Sequence, residues 1–114
     1  MANPVELVIL ELFRNSTFRQ DWLVVDKDGL AFNLTNYTPR FLAFETVNGT
    51  LLFDSSTDTG ETINIVGVNR ISLELLEVTF DMWPDECHHQ LFVDDSDGKP
   101  FAVSHGPVII YPFP

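Results

Sequence analysis

Glycine and acidic turn signals recur along this chain at short, regular intervals, and that spacing confines it to short strands. They fall at Asp26-Lys27-Asp28-Gly29, Asn48-Gly49, Thr59-Gly60, Gly67-Val68-Asn69 and Asp95-Ser96-Asp97-Gly98. Gly, Asn and Asp tolerate the positive φ that tight hairpins need, so each site ends one strand and opens another. The runs between them are rich in Val, Ile, Leu, Phe and Thr. Short strands with turn signals about every 8–12 residues predict an all-β sandwich or barrel.

The hydrophobic periodicity agrees. Ile71, Leu73 and Leu75 alternate with polar residues, the pattern of a half-buried strand, and residues 62–65 repeat it. Residues 18–25 and 41–47 are more uniformly apolar, as central strands are. Residues 87–93 and 108–111 read as two later strands. Residues 76–86 lack strand character, and Asp81 to Pro84 there predicts a helical turn or a loop crossing between sheets. Residues 25–32 and 93–101 echo each other, each with a strand end, an acidic Gly turn and a returning Phe. Hairpin chemistry accounts for both without duplication.

A length of 114 residues suits one domain, 1–114. Residues 1–13 precede the regular pattern and form a candidate assembly arm or edge strand. There Val8, Leu10 and Leu12 would be buried together if the segment added to a neighbour's sheet, each contributing ~1.5–3 kcal/mol. The net charge is −11, from 17 acidic and 6 basic residues. Such a surface repels phosphate backbones and anionic lipid, so no nucleic-acid or membrane partner is expected. The apolar run 7–10 is too short for a signal segment, and nothing approaches the ~20 apolar residues of a membrane helix. The expectation is synthesis in a cytoplasm, with any other location reached by assembly or lysis.

No motif for chemistry holds together. An EF-hand loop needs an acidic first ligand when its glycine is sixth, but Gly98 and Gly29 place Val93 and Val24 there. In a strand, His88 and His89 point to opposite faces, and Cys87 with His89 falls short of the four ligands of structural zinc. Asp85 and Glu86 beside Cys87 would raise its thiol pKa, against nucleophilic use. There is no nucleophile elbow, phosphate loop or HExxH pair. The 17 acids allow chance carboxylate pairs, which leaves a small hydrolase open as a minor reading. No catalytic residue, metal or cofactor is therefore assigned. The sequons at Asn15, Asn33, Asn36 and Asn48 read as turn and strand-end chemistry.

The aromatics are more telling, with 10 Phe, 2 Trp and 2 Tyr. Most must fill a core, but Phe32, Phe101, Tyr111 and Phe113 sit near turns or the terminus. The tail 107–114 ends apolar and uncharged, so it docks on a partner or packs on its own domain. Val8, Leu10, Leu12, Tyr111 and Phe113 are the candidate protein–protein contacts.

The order of these elements resembles the small immunoglobulin-like virion proteins of tailed bacteriophages. The likeness rests on residues 13–18 with the leading Arg14, on Val25-Asp26-Lys27-Asp28-Gly29, and above all on Asn33-Leu34-Thr35-Asn36-Tyr37-Thr38-Pro39-Arg40. Residues 71–75, Met82-Trp83-Pro84, 93–98 and Gly106-Pro107-Val108 complete it. It covers nearly the whole chain from Phe13 onward. The family's Gly-Asp step after the Arg is Asn15-Ser16 here, and its late-strand Tyr is Cys87. The resemblance implies an immunoglobulin-like antiparallel β-sandwich of about seven or eight short strands. It implies a non-enzymatic virion structural protein, an adaptor or spacer in the tail or baseplate, located in the virion. Its expected partners are other virion proteins and further copies of itself. Two alternatives stand beside that reading. One is capsid decoration or a head–tail junction. The other is a module for host-surface carbohydrate, using Trp22, Trp83 or Tyr37 as platforms.

Overall fold

The computed structural model describes residues 6–47 and 49–112. Among the described residues, nine strands form two sheets. They are β1 (Glu6–Leu7), β2 (Leu10–Phe13), β3 (Phe18–Leu23), β4 (Thr38–Phe44), β5 (Leu51–Asp54), β6 (Glu61–Val66), β7 (Arg70–Leu75), β8 (Glu86–Asp94) and β9 (Pro100–Tyr111). The larger sheet runs β1/β2-β9-β8-β4-β5 and the smaller β3-β7-β6. β1 and β2 are successive halves of one edge strand, giving eight strand positions in an immunoglobulin-like sandwich.

The fold expected from the turn spacing is present, with three differences. The edge strand β1/β2 pairs parallel to β9, so the sandwich is not wholly antiparallel. The last strand does not begin at Val108; β9 runs twelve residues through Gly106 and Pro107. A bulge at Val103 interrupts its alternation, placing both Val103 and Ser104 inside. The helical turn is the 3₁₀ segment Glu77–Phe80, one step before the predicted 81–84.

The two echoed turns have matching local chemistry. Asp26 Oδ1 accepts from the backbone N–H groups of Asp28 and Leu30, and Asp95 Oδ1 does the same for Asp97 and Lys99. These side chains close hairpins, which is why acidic residues sit there. Asn15 and Asn36 adopt positive φ of 66° and 70°, as turn residues do.

The core lies between the sheets. Phe41, Leu91, Val93 and Val108 of the larger sheet meet Trp22, Ile71, Leu73 and Leu75 of the smaller, with Phe80 and Trp83 from the connection below. Arg14 fastens that connection. Its Nη1 donates to the carbonyls of Phe80 and Asp81 at 2.9 and 2.8 Å. Its Nη2 donates to the Trp83 carbonyl at 2.8 Å and to Asp85 Oδ1 at 3.1 Å. A guanidinium supplies this fork because its donors are planar and fixed, and it caps carbonyls left open where the 3₁₀ turn ends.

Candidate docking surface

Alternation along β2 decides which apolar side chains remain outside. Leu10 and Leu12 point inward and are 1% exposed. Both were candidate contacts for a neighbouring chain. In this structure they belong to the domain's own core, because β2 seats on β9 with Leu10 beside Val108 and Leu12 beside Ile110. Val8 is half-buried against the same core. The intervening residues face out, with Leu7 67% and Ile9 58% exposed and Phe13 beyond them.

β9 continues that outer surface through His105, Pro107, Ile109 and Tyr111. Tyr111 lies opposite Phe13, and the rings stack at 5.2 Å between centroids. The Tyr111 hydroxyl donates to Glu11 Oε2 at 2.7 Å, which keeps the phenol above its usual pKa. Phe113, the remaining candidate contact, lies outside the described residues. Toward the sheet centre come His88, Gln90 and Phe92 of β8, then Arg40, Leu42 and Phe44 of β4. The Arg40 guanidinium sits 5.5 Å from the Phe92 ring centre and 3.5 Å from Asp94 Oδ2. In a chain of 17 acids, the described strand residues of this face carry Glu11, Asp54, Glu86 and the paired Asp94.

Beneath this face lies a buried histidine. His89 Nδ1 donates to the Gly106 carbonyl at 3.0 Å, and its Nε2 accepts from Ser104 Oγ at 3.1 Å. A carbonyl can only accept, so the proton sits on Nδ1. Burial drives the His89 pKa down to about 4. On the outside, His88 and His105 approach at 6.0 Å between ring centres, and burial together with His105 lowers the pKa of His88. Sequence reasoning separates His88 from His89 correctly but misses the His88–His105 contact, which requires the β8–β9 register.

Gly106 explains how the edge strand is seated. Its φ is 152°, and an added Cβ would collide with the Val8 carbonyl. The Val8 N–H donates to the His105 carbonyl at 2.9 Å, so chain and chain touch there without a side chain between. The edge strand breaks between β1 and β2 at this crossing.

Other sequence-level candidates are internal. Trp22 and Trp83 are buried, which removes two of the three proposed carbohydrate platforms; their indoles fill the core instead. Tyr37 is half-buried and contacts Phe32 and Phe101 edge-on at 5.6 and 6.0 Å. Phe32 and Phe101, expected to be spare, therefore close one end of the core around Tyr37. Cys87 is also buried, and its pKa rises to about 11. The main cause is desolvation, not the neighbouring acids, and the nearby Arg14 charge opposes it. Among the described residues, no three His, Cys, Asp or Glu side chains converge as a metal site. No described helix is long and apolar enough to cross a membrane.

No protein-family model matches this chain, and comparison with curated proteins finds no relative.

Proposed function

We propose that this protein is a non-enzymatic structural module of a tailed-bacteriophage particle, an adaptor or spacer in the tail or baseplate. The observation that carries the docking role is the outer face of the larger sheet. Leu7, Ile9, Phe13, Ile109 and Tyr111 there form an apolar stripe with little free charge on a strongly acidic domain. An apolar stripe of this kind rimmed by polar residues marks a protein contact. The particle assignment rests on the ordered motifs, above all Asn33 to Arg40 and the Arg14 connection. Arg14 and the Trp83-Pro84 turn, which are distant in sequence, contact each other through the clasp, so two of the motifs form one structural unit.

The test is mass spectrometry of purified particles from an infected host, together with incorporation of an Ile9→Lys variant. The expected result is the chain in the particle at a fixed copy number, with Ile9→Lys folded but depleted. Its absence from particles would overturn the assignment. Normal incorporation of Ile9→Lys would overturn the role of the stripe.

A further inference from the structure

The smaller sheet has an edge of a different kind. β6 pairs only with β7, through six consecutive residue pairs and no bulge. Among the described residues, no other hydrogen bond reaches the β6 backbone. The remaining edges carry the devices that discourage strand addition. β5 has four residues, the β1/β2 edge is interrupted, and β3 displays Arg19 and Asp21. β6 has none of these beyond its first residue, Glu61; Thr62-Ile63-Asn64-Ile65-Val66 is uncharged, β-branched at four of its five positions and free of proline.

We infer that β6 pairs antiparallel with β6 of a second copy, about a two-fold axis at Asn64, joining two small sheets into one of six strands. The register follows from the side chains. Every residue-centred antiparallel register sets inward against inward, and centring on Asn64 is the one that pairs the whole uncharged stretch, Ile63 with Ile65 of the second copy and Thr62 with its Val66. Glu61 then falls opposite Gly67 at the far end, and the two acids stand a strand length apart. A parallel pairing would stack Glu61 on Glu61. Centring on Ile63 would set each Glu61 against an inward Ile65. The same contact buries the exposed remainder of Ile63 and Ile65, which line the open side of the core. An unrelated extended peptide would satisfy the same backbone groups; a second copy does so while setting β-branched against β-branched residues on both sides of Asn64 and keeping both acids outside the paired stretch. Such a pair leaves both larger-sheet faces free, so it would present two docking stripes.

Single-cysteine cross-linking of the full chain tests the register. Asn64→Cys places the two thiols directly across the axis, whereas Thr62→Cys sets them about 13 Å apart along the strands. Treatment with the shortest bismaleimide should convert Asn64→Cys to covalent dimer and leave Thr62→Cys mainly monomeric. The native Cys87 is buried, and the unsubstituted protein serves as the control. Equal cross-linking of both variants, or of neither, overturns the proposal. Sedimentation of the unsubstituted protein should show a concentration-dependent dimer, and Asn64→Lys should halve the mass while leaving the circular dichroism spectrum unchanged. A monomer throughout the concentration series, or a dimer indifferent to Asn64→Lys, also overturns it.

Discussion

On the outer face of the smaller sheet, Arg19 lies 2.6 Å from Glu74 and Arg70 lies 3.3 Å from Asp21, with Thr62, Asn64 and Ser72 among them. On the outer face of the larger sheet, Leu7, Ile9, Phe13, Ile109 and Tyr111 run together, with Glu11 bound to Tyr111 and Asp94 beside Arg40. Both faces obey the same alternation of in and out. They differ in what occupies the outward positions. Apart from Leu23 and Val66 beside Arg70, the outward positions of the smaller sheet are charged or polar and are stable in water. The apolar face exposes surface that a monomer would gain by covering. Within a single domain, the comparison separates residues that serve the fold from residues left for a partner.

The largest expected effect sets inward against outward on one strand. Leu10→Ala should cost ~2–5 kcal/mol in chemical denaturation of the isolated chain, because it opens a cavity in the core. Ile9→Ala, next to it but outside, should change stability by no more than about 0.5 kcal/mol. Equal losses would show that the arm is not seated as described.

The next effect concerns what supports the apolar face from below. His89 is held neutral with its pKa near 4, against an ordinary value of 6.5. The unfolded chain therefore binds the proton first. Stability from this residue is complete above about pH 6.5, falls as the pH drops toward about 4, and changes no further below that, a loss of ~3 kcal/mol in all. The lowered pKa of His88 acts in the same direction. Denaturation midpoints across this window should fall more steeply for the native protein than for His89→Gln. Parallel curves would break the assignment.

Arg14 offers a smaller test at the end of the sandwich. Removing its fork with Arg14→Ala leaves the carbonyls of Phe80, Asp81 and Trp83 without that partner and should cost about 2 kcal/mol. Arg14→Lys should recover only part, since an ammonium cannot reproduce the planar geometry. Full recovery by Lys would reduce the clasp to a simple charge.

The smallest effect belongs to the polar face. A double-mutant cycle on Arg19 and Glu74 should give less than ~1 kcal/mol of coupling, and molar salt should abolish it. A larger, salt-resistant coupling would mean that the smaller sheet's face is not the passive surface described.

Strands and turns were legible in the sequence because their causes are local. The alternation of Ile71, Leu73 and Leu75 and the Asp-to-backbone hydrogen bonds at Asp26 and Asp95 each lie within a few residues. The opposite facing of His88 and His89 followed from strand geometry alone. The docking surface was only half legible. Val8, Leu10 and Leu12 stood out as apolar, but the choice between core and partner depended on which strand β2 joined. Pairing with β9 turned Leu10 and Leu12 inward and left Leu7, Ile9 and Phe13 outside.

The sequence by itself therefore determined the hairpin sites and the sandwich class, since each is decided over a few bonds of chain. Tertiary structure alone decided that the N-terminal strand lies parallel to β9 and that a glycine admits it at Val8. It also decided that Arg14 reaches carbonyls more than sixty residues away, and that Phe32 and Phe101 meet at Tyr37. Those contacts join segments far apart in the chain. Their partners are chosen by how two sheets pack, which no local pattern records.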